Sequence, residues 1–539
     1  AVKLLVFFNV IVGFSQTEIA KINSILKPYA LQNSPGMNVG IVKNGEVFYS
    51  ESFGEANLEY GIKNADSTVF SLASIAKQFT ASCIWILIKE NKISLDDPVQ
   101  KHIPEFPNHP QIIKIRHLLN HSSGLSNYHT LMDCKGFDYD KNFYNNQTVL
   151  DLTIKQKKLN HNPGEKIMYS NTNYTLLTII IERISGKNLN DFAQEKLFKP
   201  LGMKNTFIKT ENNSLIKNKA VGYQKFGDAF QQNPTIQKSY GAGSMGSTTN
   251  DLFNWINVLN DKNKSFKELT SFLTTCETLS TGEKAEYARG LQINQYKNYQ
   301  TISHSGYGWG GQTQLITIPE LDLGIVILTN LESINPTPIS YQILDILLPN
   351  KEIKEQSSKK KKIKTKDFKL LVGDYVEMNS DMKMTISIEN GTLVAKGNQA
   401  KKATLLKLKE NNIYTRTNNE SVIYDFDNSN ADLVISFGGV PFYFEKANFI
   451  DPIEVKPEEY IGNYYSEELD VNYQFYTKEN KLYLDYPNNK NIMLSTVQKD
   501  EFGNNQRTLY QFVKDVNNKI IKMKLSCEGS VKEIEFVKK

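Results

Sequence analysis

Near its start the chain alternates short apolar runs with turn residues, a pattern that predicts a β-hairpin. Gly40-Ile41-Val42 and Val47-Phe48-Tyr49 flank the segment Lys43-Asn44-Gly45-Glu46. Asn-Gly between two apolar runs is the strongest short-range signal for such a hairpin. Much later, Gln312 to Ile318 and Gly324 to Thr329 predict a second pair of strands.

Between these strand pairs the apolar residues recur at helical spacing. The segments with this spacing are Ser74 to about Lys89, Leu176 to Ile184, Asp251 to Leu259 and Pro338 to Leu348. Strands at both ends with helices between them predict an α+β domain, in which one antiparallel sheet joins the two ends beside an all-helical region. A site is expected in the cleft where those two parts meet.

The pattern changes beyond Leu348. Residues 351–366 are polar and rich in lysine, which predicts an exposed linker and no nucleic-acid contact, because no aromatic or amphipathic partner accompanies the charges. Beyond residue 366, apolar and polar residues alternate in short runs, and this pattern predicts all-β structure. Leu371-Val372-Gly373-Asp374-Tyr375 recurs as Tyr460-Ile461-Gly462-Asn463-Tyr464. This repeat indicates two small barrel-like domains, over residues 367–450 and 451–539.

The first fifteen residues have the order of an export signal. Lys3 precedes an apolar run from Leu4 to Val12, and the small residues Gly13 and Ser15 follow at the spacing that a signal peptidase reads. We therefore expect a signal peptide over residues 1–15 and a periplasmic or secreted protein. We expect no stable membrane insertion, because the run is far shorter than the ~20 residues that a spanning helix needs. The alternative is a first core strand or helix.

Composition narrows the function classes without choosing among them. The 539 residues predict two or three domains, and 40% hydrophobic with 11% aromatic residues suffices for real cores. A net charge of +5 is small for this length and gives no reason to expect nucleic acid. The cysteines are too widely separated to suggest a disulfide framework or a metal knuckle; they are Cys83, Cys134, Cys276 and Cys527.

Ser74-Ile75-Ala76-Lys77 is the most informative chemical motif. Residues three apart share a face of a helix, so the Ser74 hydroxyl and the Lys77 amine can meet. A serine hydroxyl needs an adjacent base to act as a nucleophile, and burial lets lysine be that base by lowering its pKa. Alone the motif is weak, because both residue types are common on solvated helix faces.

Two later motifs supply context: Tyr169-Ser170-Asn171 and His304-Ser305-Gly306. In this order the three motifs resemble the serine beta-lactamase and penicillin-binding protein superfamily, in the branch of class C beta-lactamases, DD-peptidases, D-aminopeptidases and related esterases. The likeness extends from about Pro35 to Leu348 and implies a beta-lactamase-like serine hydrolase domain over residues 16–350. D-Aminopeptidase relatives also carry C-terminal barrels that shape access to the cleft.

The resemblance implies roles for single residues. The catalytic positions are Ser74, Lys77, Tyr169 and His304. The substrate-binding positions are Asn171, Ser305, Gly306 and Tyr307. In these roles Ser74 attacks a substrate carbonyl to form an acyl-enzyme, while Lys77 and Tyr169 share its proton and His304, when protonated, adds positive charge. The backbone N–H groups of Ser74 and Tyr307 would hold the oxyanion, and Asn171 and Ser305 would orient the substrate.

The third motif begins with histidine, where most beta-lactamases have lysine. A largely neutral histidine is a weaker anchor for a beta-lactam carboxylate, so D-amino-acid peptides, amides or small esters are the expected substrates, some of them cell-wall derived. Two alternatives are a non-catalytic protein that binds cell-wall peptides or penicillin, and a class C-like beta-lactamase.

No cofactor or metal is predicted. His117 and His121 have a spacing that can bind zinc, with His129 nearby, but no glutamate lies between them as zinc hydrolases require. Two Gly-x-Gly-x-x-Gly segments, at Gly241 and at Gly306, lack the strand-turn-helix context of a dinucleotide site and predict tight turns.

Overall fold

The computed structural model describes residues 16–211, 214–233, 239–308, 310–349, 368–378, 380–398, 400–410, 412–417, 419–437, 440–447 and 455–539. The predicted signal peptide and the predicted linker lie outside these residues. The described residues form two compact units. Unit 1 is drawn from residues 16–94, 177–276 and 288–349, and unit 2 from residues 95–176, 277–287 and 368–539.

The helices, in chain order, are α1 (residues 16–26), α2 (Ala76–Lys89), α3 (Ile115–Leu119), α4 (Tyr128–Lys135), α5 (Asn146–Ile154), α6 (Asn171–Ser185), α7 (Leu189–Ala193), α8 (Thr249–Leu259), α9 (Leu269–Leu273), α10 (Pro336–Leu347) and α11 (Phe368–Leu371). The strands of unit 1 are β1 (Met37–Lys43), β2 (Glu46–Phe53), β3 (Glu55–Asn57), β4 (Ile62–Lys63), β5 (Phe70–Ser71), β6 (Phe207–Ile208), β7 (Tyr223–Phe226), β8 (Ala229–Gln232), β9 (Met245–Ser247), β10 (Gln292–Tyr296), β11 (Tyr299–Gly308), β12 (Gly311–Ile318) and β13 (Leu323–Thr329).

Unit 1 is organised around a six-stranded antiparallel sheet in the order β10-β11-β12-β13-β1-β2. β1 pairs with β13 from Met37 opposite Thr329, so the two ends of this region share one sheet, as the sequence predicts. The predicted hairpin is also confirmed: β1 and β2 are joined through Asn44 and Gly45, whose φ angles of 55° and 78° fit a two-residue turn.

Helices cover both faces of this sheet. Ile22 of α1 and Ile343 of α10 are fully buried with the apolar side chains of alternate strand residues. On the opposite face α8 packs so closely that a Cβ atom at Gly40 would lie 2.3 Å from the Phe253 ring. The helix predicted from Ser74 begins two residues later, because Ala73–Ile75 form a 3₁₀ turn before α2.

Unit 2 combines helices α3 to α5 with two all-β domains, which confirms the predicted fold class. The first is a closed eight-stranded barrel of β14 (Gly373–Glu377), β15 (Lys383–Glu389), β16 (Thr392–Gly397), β17 (Thr404–Glu410), β18 (Ile413–Arg416), β19 (Asn419–Asp425), β20 (Leu433–Phe437) and β21 (Val440–Lys446). The second is a nine-stranded antiparallel sheet of β22 (Gly462–Ser466), β23 (Val471–Lys478), β24 (Lys481–Tyr486), β25 (Asn489–Met493), β26 (Ser495–Gln498), β27 (Glu501–Gly503), β28 (Thr508–Lys514), β29 (Ile520–Cys527) and β30 (Val531–Lys538).

The repeated sequence has the same geometry in both β domains. Gly373 and Gly462 have φ angles of 152° and 148°, a region that favours glycine. Two residues after each glycine a tyrosine hydroxyl donates to the carbonyl four residues before that tyrosine, at 2.8 Å for Tyr375 and 3.1 Å for Tyr464. A lysine of the last strand lies over each ring. The matching first and last strands indicate that one small β unit occurs twice.

The second β domain shares its core with α4. Leu131 and Cys134 of α4 are buried in one apolar cluster with the aromatic residues of the nine-stranded sheet. The Tyr473 hydroxyl donates to the Cys134 carbonyl oxygen at 2.6 Å. Unit 2 is therefore a packed assembly of helices and β domains. Among the described helices, none is both long enough and apolar enough to cross a bilayer.

Candidate active site

The turn that carries Ser74 follows Leu72, whose backbone N–H and carbonyl are both hydrogen-bonded. The Leu72 N–H donates to Met245 O at 2.8 Å, and the Thr313 hydroxyl donates to Leu72 O at 3.0 Å. Ala73 has a φ of 46°, a left-handed conformation that is strained for a residue with a side chain. Ser74 follows it, half-buried, at the N-terminal end of α2.

The side chain of Lys77 contacts this serine. Its Nζ atom is 3.1 Å from Ser74 Oγ and donates to Ala242 O at 2.8 Å. The side chain is fully buried, and burial lowers the pKa of Lys77 well below the ordinary value for lysine. The predicted contact between Ser74 and Lys77 is therefore present, and the amine favours its neutral, proton-accepting form.

A glycine lets a neighbouring segment approach the Lys77 backbone. Gly290 has a φ of 82°, and a Cβ atom there would lie 2.9 Å from both Lys77 C and Gln78 N. On the same helix, Gln78 accepts a hydrogen bond from Trp255 Nε1 at 2.6 Å, and Thr80 donates to Gly241 O at 2.7 Å. These contacts hold α2 from several directions, which limits the movement of Lys77.

The third motif lies on β11, where alternate residues face opposite ways. His304 and Gly306 are buried, whereas Ser305 and Tyr307 are exposed. His304 Nδ1 donates to Ser305 O at 2.6 Å. Burial is the main cause that lowers the pKa of His304 to about 3, and the positive charge that Lys77 carries when it is protonated acts in the same direction. His304 therefore carries no charge at neutral pH, so it does not add the positive charge considered from the sequence.

Gly306 brings β11 against the turn that carries Ser74. A Cβ atom at Gly306 would lie 2.3 Å from Thr313 Oγ1 and 2.5 Å from Leu72 O. No larger residue fits without moving one of these segments. Beside it, the exposed Tyr307 hydroxyl donates to Glu332, a bond that is the main cause of a pKa of about 12 for this tyrosine.

Tyr169 and Asn171 lie in unit 2, together with contacts that the sequence did not suggest. The Tyr169 ring packs on the His121 ring with centroids 4.3 Å apart, and on Tyr287 at 5.9 Å. Tyr287 is completely buried, and burial raises its pKa well above the ordinary value for tyrosine. Tyr169 is half-buried and thus retains access to solvent.

Asn171 stands at the first turn of α6 and is held by two residues of the preceding segment. Its N–H donates to Asn127 Oδ1 at 3.1 Å, and its Nδ2 lies 3.2 Å from His129 Nδ1. Because an amide Nδ2 donates, His129 Nδ1 accepts here. Among the residues that the structure describes, there is no group of three or more His, Cys, Asp or Glu side chains that could hold a metal ion.

Within unit 1 the structure thus brings together Ser74, Lys77 and the His304-Ser305-Gly306 strand. Within unit 2, Tyr169 lies in the segment that leads into α6, and Asn171 is the first residue of that helix. Sequence reasoning missed Ala242, whose carbonyl oxygen accepts from Lys77, and Thr313, whose hydroxyl donates to Leu72 O in the turn before Ser74. The available signal was the glycine-rich segment around Gly241, since glycines often mark close backbone approach.

Comparison with known proteins gives a family match. The family model described as Beta-lactamase matches residues 22–344. Protein flp of Staphylococcus aureus (strain MRSA252) is 30% identical over 311 residues, which cover 56% of this chain and 60% of that protein. The chain thus matches less than two thirds of the length of that protein.

Two solved structures share the fold. An octameric penicillin-binding protein homologue from Pyrococcus abyssi has a TM-score of 0.54 at 22% identity, covering 88% of this chain and 98% of that chain. A D-amino acid amidase from Ochrobactrum anthropi SV3, complexed with L-phenylalanine, has a TM-score of 0.51 at 22% identity, covering 61% and 98%. The first likeness extends into the C-terminal half, whereas the second covers a smaller share of this chain.

The pKa of His304 predicts an acid-sensitive stability. Between its ordinary pKa near 6.5 and about 3, the unfolded chain binds a proton that the folded chain does not, so stability falls as pH falls through this window. We expect the wild type to lose about 3 kcal/mol more unfolding free energy than His304→Gln between pH 7 and pH 4. Denaturant unfolding at both pH values measures the difference.

Ser305→Ala, which removes no titrating group, should behave like the wild type. Equal pH dependence of wild type and His304→Gln would contradict the assignment.

Proposed function

Because the chain belongs to the beta-lactamase family, with residues 22–344 matched, we propose that it is a serine hydrolase that works through an acyl-enzyme on Ser74. The observation that carries this proposal is the Lys77 amine, fully buried and 3.1 Å from Ser74 Oγ. A nucleophile within hydrogen-bond distance of a base with a lowered pKa is the usual arrangement for covalent catalysis.

In the first half-reaction the Ser74 hydroxyl proton passes to Lys77 while Oγ bonds to the substrate carbonyl carbon. The tetrahedral oxyanion then collapses, the bond to the leaving nitrogen or oxygen breaks, and the leaving group takes the proton back. In the second half-reaction a water molecule gives its proton to the same base and attacks the acyl ester. The second tetrahedral intermediate then collapses, the bond from the carbonyl carbon to Ser74 Oγ breaks, and Oγ takes that proton back from the base. Free Ser74 and a carboxylic acid result, the acid releases its own proton to solvent, and the base ends in its starting state.

Tyr169 is proposed as the partner of Lys77 in these proton transfers. This role rests on the Tyr169-Ser170-Asn171 motif and on the half-exposed position of a ring held by its neighbours. A phenol has an ordinary pKa of about 10 and needs nearby positive charge to act as a base. The protonated form of Lys77, produced during the reaction, would supply that charge.

The oxyanion is proposed to bind to the backbone N–H groups of Ser74 and Tyr307. Support comes from Gly306, which lets β11 approach the turn before Ser74 more closely than a residue with a Cβ atom would allow. Ser305 and Tyr307 project from the exposed face of this strand, where they can contact a substrate. His304 is buried and neutral at pH 7, so it acts on the position of its neighbours and not as a charged anchor.

D-Amino-acid amides or peptides, with small esters beside them, are the substrates we favour. The D-amino acid amidase that shares the fold supports this choice. A neutral His304 supports it too, since a beta-lactam carboxylate gains no ion pair from an uncharged imidazole. Export is part of the proposal, and it rests on the charge and hydropathy order of residues 1–15.

A fluorescent fluorophosphonate tests the central proposal. We expect the wild type to be labelled on a single residue and Ser74→Ala not to be labelled, because only an activated serine forms the covalent adduct. Peptide mass spectrometry identifies the site, and Ser71→Ala is a matched control with an exposed serine of the same segment. Absence of labelling from the folded wild type would favour a non-catalytic binding protein.

Removing the bases should be nearly as damaging as removing the nucleophile, because groups that transfer one proton act as a unit. We expect Lys77→Ala and Tyr169→Phe each to lower turnover by about 10³-fold or more, and His304→Ala to lower it less. Steady-state hydrolysis and thermal unfolding are measured on the same preparations. A folded Tyr169→Phe variant with near wild-type turnover on every accepted substrate would remove Tyr169 from the mechanism.

A substrate panel separates the hydrolase types. D-Alanyl-D-alanine peptides, D-aminoacyl amides, short-chain nitrophenyl esters and nitrocefin are compared by kcat/KM under one condition. We expect nitrocefin to be the poorest, because an uncharged His304 offers no ion pair to its carboxylate. Much faster turnover of nitrocefin than of the other compounds would identify a class C-like beta-lactamase and refute the argument from His304.

A further inference from the structure

His121 contacts the backbone on both sides of Tyr169. The Met168 N–H donates to the His121 carbonyl oxygen at 2.8 Å, and the Ser170 N–H donates to His121 Nδ1 at 3.3 Å. The two residues that flank Tyr169 in the chain are thus hydrogen-bonded to one residue, one to its main chain and one to its ring. Tyr169 has little freedom to shift along or across this segment.

The His121 ring also determines where the Tyr169 ring lies. Their centroids are 4.3 Å apart at an interplanar angle of 40°, and the imidazole also packs on the Tyr287 ring at 4.8 Å and on the Tyr174 ring at 5.2 Å. His121 is fully buried. A ring enclosed by three tyrosines cannot change rotamer without moving them, so its orientation is rigid.

Nδ1 of His121 is an acceptor for two donors. Besides the Ser170 N–H, the Asn173 side-chain Nδ2 lies 3.1 Å from it, and Asn173 Oδ1 in turn accepts from the Ser123 hydroxyl at 2.6 Å. A nitrogen that accepts from N–H groups carries no proton, so the ring is the tautomer with hydrogen on Nε2. The contact with Tyr169 is therefore one of packing and orientation, without a neighbouring charge.

The backbone of His121 is itself unusual. Its φ of 60° is in the left-handed region, which costs a residue with a side chain about 1–3 kcal/mol and persists only where surrounding contacts enforce it. Such outliers collect at functional sites. Here the enforcing contacts include a Ser122 N–H bond to Asn120 Oδ1 and a Gly164 N–H bond to Ser122 O. They connect the turn of His121 to the segment that leads into Tyr169.

We propose that His121 is the positioning residue for Tyr169: its ring and main chain hold the phenol in the orientation needed for proton transfer. This inference rests on the proposed function, in which Tyr169 takes part in the reaction of Ser74. A displacement of about 1 Å in a reacting group can cost about 10²-fold in rate. The effect of His121 should thus appear in the rate of the chemical step and only through Tyr169.

Three substitutions of His121 separate the contribution of its ring from that of its hydrogen-bond acceptor, Nδ1. His121→Phe keeps an aromatic ring and removes the acceptor. His121→Asn places an amide oxygen near the position of Nδ1, tolerates the left-handed backbone, and removes the ring. His121→Gly removes both and also tolerates that backbone. His117→Phe is the matched control, since His117 accepts from the Lys114 N–H at 3.2 Å in the turn of α3.

The test follows inactivation by a fluorophosphonate, which gives a maximal rate constant kinact and a half-saturation constant KI. We expect His121→Phe and His121→Gly to lower kinact about 10²-fold with KI within about threefold of wild type. His121→Asn, which keeps the acceptor and loses the ring, should have a kinact between those of His121→Phe and the wild type. His117→Phe should leave kinact unchanged. Thermal unfolding of every variant identifies any loss that comes from unfolding, and His121→Gly carries the test if His121→Phe does not fold.

A double-mutant cycle with Tyr169→Phe decides whether His121 acts through Tyr169. We expect His121→Phe to lower kinact less than about twofold further in the Tyr169→Phe background, because the group it positions is gone. A folded His121→Phe with wild-type kinact would overturn the inference, as would full additivity with Tyr169→Phe. An unlabelled wild type would instead overturn the proposed function, and this inference with it.

Discussion

The burial of one amine, that of Lys77, is the constraint on which the rest of the candidate site depends. A charged ammonium without water is costly, so burial favours the neutral amine. A neutral amine still needs polar partners, and Ala242 O and Ser74 Oγ lie at 2.8 Å and 3.1 Å. Moving either partner would leave a buried polar group unsatisfied. The position of Ser74 and the basicity of Lys77 are therefore consequences of the same packing.

Several unfavourable or tightly packed backbone conformations surround this amine. Ala73 adopts a strained left-handed backbone, and Gly290 and Gly306 occupy places where a Cβ atom would come within 3 Å of another segment. Gly306 lets β11 approach the turn that carries Ser74, and Gly290 lets its own segment approach α2 at Lys77 and Gln78. The large apolar core on both faces of the six-stranded sheet supplies the stability that such strain requires.

Much of this arrangement was predictable, because it depends on local patterns. Asn44-Gly45 specified a hairpin, and three-residue spacing placed Ser74 and Lys77 together. Contacts between residues distant in sequence were not predictable in this way. The packing of Cys134 beside Tyr473 depends on tertiary structure alone. The loss of charge on His304 follows from its burial, which alternation on β11 decides only once the sheet register is known.

The rate of fluorophosphonate labelling of the wild type as a function of pH is the most direct test of a neutral buried Lys77. If the amine is the base, the labelling rate should reach its plateau at a pH well below the ordinary lysine pKa of about 10.5. At lower pH the rate should fall as one group becomes protonated, and this fall should be absent from the labelling of Lys77→Ala. A rate that still rises steeply toward pH 10 in the folded protein would show an ordinary, protonated lysine and contradict the account.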